Sequence, residues 1–339
     1  MTTASASSFT ASLSFTASLI VGLSLLCSAG TSLAADSKGS FSVSIENDVF
    51  STGGDNNYTH GTEFTYVSDT KMPGWLNRVA AELNYDPPGV ELRWVTKLGQ
   101  KIFTPDDIES YELIPNDRPY AGWLYLSSGL IADSYRGSVR HLEKVQFILG
   151  WVGPSSLADT VQTNFHNALG FRDPNGWRHQ LHDEPTFDVQ FQKQWMLPVF
   201  NDRMDIIPQI NAILGSSSRL LGTGFTVRIG NRITSDYGPP LIRPSASGSD
   251  YFKPHGDTYW YFFAGAFGRY VEHSLFLDGN TDGESHSVDR REWVGDLQMG
   301  FVFGWRDWRF TLTNVIRTRE FEQQDESDAF GALGLTLRI

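Results

Sequence analysis

Residues 187–195 read Phe187-Asp188-Val189-Gln190-Phe191-Gln192-Lys193-Gln194-Trp195. Phe187, Val189, Phe191 and Trp195 alternate with Asp188, Gln190, Gln192 and Gln194. In an extended strand successive side chains face opposite ways, so this alternation reports two different environments, one greasy and one wet. The pattern recurs outward from this stretch. Trp308, Phe310, Leu312 and Ile316 alternate with Arg309, Thr311, Thr313 and Arg317. Phe225, Val227 and Ile229 alternate with Thr226, Arg228 and Gly230, and the last run sets Leu333, Leu335, Leu337 and Ile339 against Gly334, Thr336 and Arg338. Counting such runs predicts about twelve strands, starting near Ser40, Gly61, Glu91, Tyr120, His141, Pro185, Met204, Leu220, Thr258, Glu292, Trp308 and Ala329.

A water-soluble sandwich also alternates. Three features favour a membrane barrel instead. The strands are long enough to cross a bilayer at a tilt. Aromatic residues cluster at their ends, as in Tyr259-Trp260-Tyr261, Trp305 and Trp308. The polar face carries Arg, Gln and Asp, which suits a wet lumen. The fold class expected is therefore all-β, a closed antiparallel transmembrane barrel of about twelve strands. One segment departs from the strand period: between Leu157 and Gly170, Val161, Phe165, Ala168 and Leu169 recur at helical spacing, predicting a short helix in the long loop after strand five, in that loop or over the barrel mouth.

Residues 1–35 carry no charge; an apolar stretch from Leu13 to Leu26 is followed by Ser32-Leu33-Ala34-Ala35, the layout of a cleavable secretion signal, although the usual leading Lys or Arg is missing. The domain reading is thus a signal over 1–35 and one barrel over 36–339, with no second domain. The single cysteine, Cys27, falls in the signal. A net charge of −12 over 339 residues argues against nucleic acid as a partner. After the N-terminal segment no run of roughly 18 uncharged apolar residues occurs, so no transmembrane helix is readable.

Three segments carry candidate chemistry. Glu46-Asn47-Asp48 closes strand one, and Asp55-Asn56-Asn57-Tyr58-Thr59-His60-Gly61 leads into strand two, so both meet at one rim. Gathered carboxylate and amide oxygens suit a hard cation such as calcium, while Asn, Asp and Gly equally dominate ordinary turns; spacing alone leaves both readings open. His166, on the expected helix with Asn164 and Asn167 beside it, is the side-chain type suited to moving a proton near neutral pH, whereas a helix-borne histidine in such a setting is usually structural or solvent-exposed. Asp117-Arg118-Pro119-Tyr120-Ala121-Gly122-Trp123 begins strand four, where Arg118 is a candidate for anchoring a polar headgroup or part of a turn and aromatic girdle. No serine-nucleophile elbow, phosphate loop, His-Glu-x-x-His or cysteine zinc motif is present.

These segments, in order, resemble the outer-membrane lipid A deacylase family. The resemblance rests on Glu46-Asn47-Asp48, Asp55-x-x-Tyr58-Thr59-x-Gly61, Asp117 to Leu124, Gly153-Pro154-Ser155-Ser156, Gln162-x-x-x-His166 and Gly176-Trp177-x-x-Gln180-Leu181-x-x-Glu184-Pro185. It implies a calcium-dependent hydrolase of an ester-linked acyl chain of lipid A in the outer membrane, acting on lipopolysaccharide, with Asn47, Asp48, Thr59 and His166 as the active site. It further implies Asp48 as a ligand of Ca2+ and His166 as general base. Two positions depart from the family. The carboxylate it places after the histidine is Arg172 here, leaving Asp173 and Glu184 as candidates for the supporting acid. The basic residues it uses after strand three to hold lipid phosphate are replaced by Asp106-Asp107-Ile108-Glu109-Ser110-Tyr111. A phospholipase and a non-catalytic barrel, either a pore or a surface-binding protein, are the competing expectations; oligomeric state is not legible.

Overall fold

The computed structural model describes residues 39–48, 57–70, 72, 74–82, 89–236, 238, 252 and 257–339. The segment read as a secretion signal lies outside these residues, as do Asp55 and Asn56. Among the described residues, twelve antiparallel strands close into one barrel in which each strand pairs with its sequence neighbours and β1 pairs with β12. The strands are β1 (Ser40–Asn47), β2 (Asn57–Val67), β3 (Glu91–Thr104), β4 (Ala121–Arg136), β5 (Val139–Val152), β6 (Glu184–Phe200), β7 (Met204–Gly215), β8 (Ser218–Asn231), β9 (Thr258–Ser274), β10 (Trp293–Trp305), β11 (Trp308–Arg317) and β12 (Asp328–Arg338). Closure leaves no strand edge unpaired, which is the condition for crossing hydrocarbon with strands.

The decisive stretch shows why this is not a sandwich. On β6, Asp188, Gln190, Gln192 and Gln194 are at most 3% exposed, whereas Phe187 is 49% exposed. The polar set faces the interior and the apolar set faces out, the reverse of a water-soluble core and the arrangement a bilayer demands. The interior is packed with ion pairs and amide ladders. Arg228 bonds Asp205 at 2.5 Å and Asp236 at 2.6 Å. Gln190 donates to Asn211 at 3.1 Å, and Gln192 and Gln194 both donate to Gln209. Near the rim opposite the strand ends Ser40 and Arg338, Arg118, Arg269 and Arg317 converge on Glu320 and Asp296. Pairing is what makes such charges tolerable away from bulk water.

Two helices lie outside the wall rather than within the lumen. Helix α1 (Gly74–Glu82), between β2 and β3, was not expected: nine residues hold too short a run of helical periodicity to stand out beside the strands. Its Ala80 and the preceding Met72 pack on Leu92, Leu130 and Ala132. Helix α2 (Ala158–Leu169) coincides with the helix expected over 157–170, and Gly170 ends it in the left-handed conformation that a residue without Cβ adopts at no steric cost. It does not cover the mouth. It lies along the outer face of β3 and β4.

Candidate active site between the wall and helix α2

Alternation places Leu98, Gln100 and Ile102 on the outside of β3, and Gly122, Leu124 and Leu126 on the outside of β4. The chain leaving β5 is pinned to this surface. Gln100 Nε2 donates to the Ser156 carbonyl at 2.6 Å, and Ile102 packs with Ala158, Tyr120 and Trp177. Gly122 makes the contact possible: a Cβ there would stand 2.2 Å from both Ala158 Cβ and Ser156 Oγ, so any other residue would push the helix off the wall. From the far side, Trp177 Nε1 donates to Gln162 Oε1 at 2.8 Å, and the Trp177 ring packs at a tilt against Tyr120, centroids 5.0 Å apart. The motif pieces around Gly122, Ser156, Gln162 and Trp177 thus have one shared effect, which is to seat α2.

What they seat is His166. It is 1% exposed, buried between helix and wall. Its Nδ1 meets the backbone carbonyl of Arg172. A carbonyl only accepts, so Nδ1 carries the proton and the lone pair is on Nε2. The Arg172 carbonyl reaches this point because Gly170 reverses the chain, with Gly170 and Phe171 both donating backbone N–H groups to the His166 carbonyl. Phe171 stands edge-on to the imidazole at 5.7 Å.

The facing wall is built by β1 and β2. Asn47 pairs with His60 across the two strands. Asn47 Nδ2 donates to the Thr59 carbonyl at 2.8 Å, fixing the amide plane. Between Tyr58 and His60 the pairing with β3 shifts register, so Thr59 is a bulged residue. Bulges re-aim side chains; here Thr59 Oγ1 turns to Thr104 Oγ1 at 2.6 Å and is buried. Asp48 follows the end of β1 and is 1% exposed. His60 sits on the outside of β2, bonded through Nε2 to Thr62 at 2.8 Å, with its ring 5.8 Å from that of Phe165 and within electrostatic reach of His166. Wall and helix therefore meet where His60, the cross-strand partner of Asn47 and the chain neighbour of Thr59, faces Phe165 and His166 across a seam. His60 was not singled out from sequence. The available signal was its place two residues before Thr62 and four before Phe64 on the outward face of a strand.

The other candidates lie elsewhere. Arg118 is inside the lumen, 2% exposed, over the Phe103 ring at 5.0 Å and bonded to Glu320 at 3.5 Å; it is on the wrong side of the wall to meet a lipid headgroup. Glu184 accepts bonds from Asn280 and from the Thr281 backbone, bracing two loops. Asp173 is exposed. The partner of His166 Nδ1 in this structure is the backbone carbonyl of Arg172. The Arg172 side chain turns away to Glu109 at 3.2 Å. The acidic stretch is likewise a brace: Glu109 pairs with Arg172 and Glu112 with Arg178, tying the 105–120 loop to the segment after α2.

Among the described residues no group of three or more His, Asp or Glu is placed to hold a metal. Asp48 offers a carboxylate, and Asn47 and Thr59 offer neutral oxygens, to an ion at this end of β1. That donor chemistry fits a hard cation such as calcium, and it does not suit zinc, which favours nitrogen and sulfur.

A family model described as outer membrane protein LpxR matches residues 15–339. No curated protein matches the chain. Among solved structures, LpxR from Salmonella typhimurium superposes with a TM-score of 0.71 at 19% identity, covering 88% of this chain and 99% of that one, a likeness of fold. The translocator domain of autotransporter NalP from Neisseria meningitidis (TM-score 0.43, 9% identity, 95% and 96% covered) and the KdgM porin (TM-score 0.36, 6% identity, 89% and 98% covered) share only barrel character.

Proposed function

The chain belongs to the LpxR family of outer-membrane proteins, and from that premise we propose that it is a hydrolase that removes an ester-linked acyl chain from lipid A. The observation that carries this reading is the placement of His166: a buried histidine with a backbone partner for Nδ1, on the outer side of a barrel wall, beside His60, the cross-strand partner of Asn47. A lumen site would suit a diffusing solute. A site on the outer wall suits a substrate whose acyl chains never leave the bilayer.

In this mechanism His166 Nε2 takes a proton from water as that water attacks the ester carbon, then returns it to the sugar oxygen as the ester C–O bond breaks and the fatty acid leaves, a contribution typically worth about 10²–10⁴-fold. The Arg172 carbonyl holds the imidazole in the required tautomer and accepts a stronger hydrogen bond once the ring is charged. Asn47 and Thr59 supply polar hydrogens and oxygens on the wall side of the seam, where negative charge grows on the carbonyl oxygen. Calcium held by Asp48 and neutral oxygens would supply Lewis acidity to the same oxygen. The exposed outer-wall side chains Ile45, Leu98 and Leu126 offer the acyl chains an apolar track below the site.

Purified protein in detergent, given lipid A with and without excess chelator, tests this. Release of a hydroxylated fatty acid, abolished by chelator and restored by calcium, is the expected result. Release of fatty acid from phospholipid but not from lipid A would transfer the activity to phospholipase chemistry, and no release from either would leave a non-catalytic barrel.

A further inference from the structure

Helix α2 has three sides, and the wall uses only one. Ala158, Gln162, Phe165 and His166 fall together at helical spacing and face the wall or the seam. Asp159, Thr160, Thr163 and Asn167 form a polar side. Leu157, Val161 and Ala168, with Asn164 among them, form a third, largely apolar flank that nothing among the described residues covers: Leu157 is 58% and Val161 40% exposed, and Phe171, just past the helix, is 39% exposed.

A soluble loop has no reason to keep such a flank, and at Leu157 the chain keeps it against a conformational preference. Leu157 has φ 60°, the left-handed region where Gly or Asn is cheaper and a branched apolar residue is disfavoured. The flank is also continuous with a surface already assigned to hydrocarbon. Phe147, Leu149 and Trp151, each at least 42% exposed, climb the outside of β5 to the segment that starts α2. Trp151 directs its indole N–H to Asp183 at 3.2 Å, the mixed orientation that tryptophan adopts at a membrane–water boundary. An amphipathic helix one turn beyond that tryptophan lies at the depth where interfacial helices bury their apolar side.

We infer that the Leu157–Val161–Ala168 flank of α2, with Phe171, is immersed in the acyl region of the outer leaflet. The helix is then a membrane-docked wall of the seam, and lipid enters the site sideways from the leaflet without leaving the bilayer. The polar side of the same helix stays in water, which gives His166 a source of the attacking water on the opposite side from the lipid.

Val161→Cys and Thr163→Cys variants, each with Cys27→Ser, would be labelled with an environment-sensitive fluorophore and reconstituted into vesicles of phosphatidylcholine and lipopolysaccharide. The label at position 161 should shift to the blue, be quenched by lipids spin-labelled on the acyl chain and be spared by iodide. The label at 163 should behave oppositely. Equal quenching by iodide at both positions would overturn the inference, whatever the protein's activity. In a second arm, Leu157→Asp with Val161→Asp should lower turnover of vesicle-embedded lipid A about tenfold or more, while turnover of detergent-dispersed substrate stays at the wild-type rate. Equal loss on both substrates would overturn delivery from the leaflet. Wild-type protein inactive on both would remove the hydrolase reading and leave the fluorescence arm to decide the docking of α2.

Discussion

At the scale of single residues the account turns on one hydrogen bond, from His166 Nδ1 to the Arg172 carbonyl. Because the acceptor is backbone, the side chain at position 172 is not part of the orienting device. Arg172→Ala is therefore expected to retain deacylase activity within about threefold, losing only an exposed ion pair to Glu109 that contributes at most about 1 kcal/mol. His166→Ala is expected to lose about 10²–10⁴-fold while the barrel keeps its heat-modifiable mobility on a gel. Activity assays on the two variants side by side check both; a collapse in Arg172→Ala would show that the side chain matters after all. The residue types at the site were legible in the sequence, since Asn47, Asp48, Thr59 and His166 stand in ordered motifs. The substitute for the missing carboxylate was not, because a backbone carbonyl leaves no mark in a sequence.

At the scale of elements, α2 is held by surface fit more than by its own propensity; twelve residues are marginal as an isolated helix. Gly122→Val should displace the helix start from the wall, where Ala158 Cβ stands 2.2 Å from the added Cβ. Displacement of a catalytic group by about 1 Å costs on the order of 10²-fold, so activity should fall by that much with the barrel intact. Wild-type turnover in this variant would mean that α2 does not position the base. The 105–120 loop is expected to respond to pH through Asp106. Burial, and then Asp117 beside it, push the Asp106 carboxyl up to about 6. A carboxyl whose folded value lies above its unfolded one destabilises the loop when ionised, and that cost disappears as pH falls through about 6. Backbone amide exchange across the loop should slow between pH 7.5 and pH 5, after correction for intrinsic rates, and Asp106→Asn should remove the change. Strand positions were readable throughout: each expected start lies within a few residues of the observed one. The largest offset is in β2, expected near Gly61 and observed from Asn57, where the bulge at Thr59 breaks the alternation. Helical spacing announced α2, but not the side of the wall on which it lies; that depends on Gly122 and Gln100, whose effect is tertiary.

At the scale of the whole molecule, one partition organises the fold. Apolar side chains face out along every strand, and charges are sequestered in a packed lumen. Arg228→Ala would leave Asp205 and Asp236 buried without their shared cation, a change expected to cost on the order of 3–5 kcal/mol and to lower the temperature at which the folded gel band converts to the unfolded one. The same partition puts the candidate site outside the cylinder, between wall and helix, where lipid and not solute has access. The most direct measurement is the mass of lipid A extracted from cells of a lipopolysaccharide-producing host that express the wild-type chain or His166→Ala at matched levels. The expected result is lipid A lighter by one ester-linked acyl chain with the wild type and of unchanged mass with His166→Ala. Identical lipid A masses from the two, whether both shortened or both intact, would contradict a His166-dependent deacylase on the outer wall.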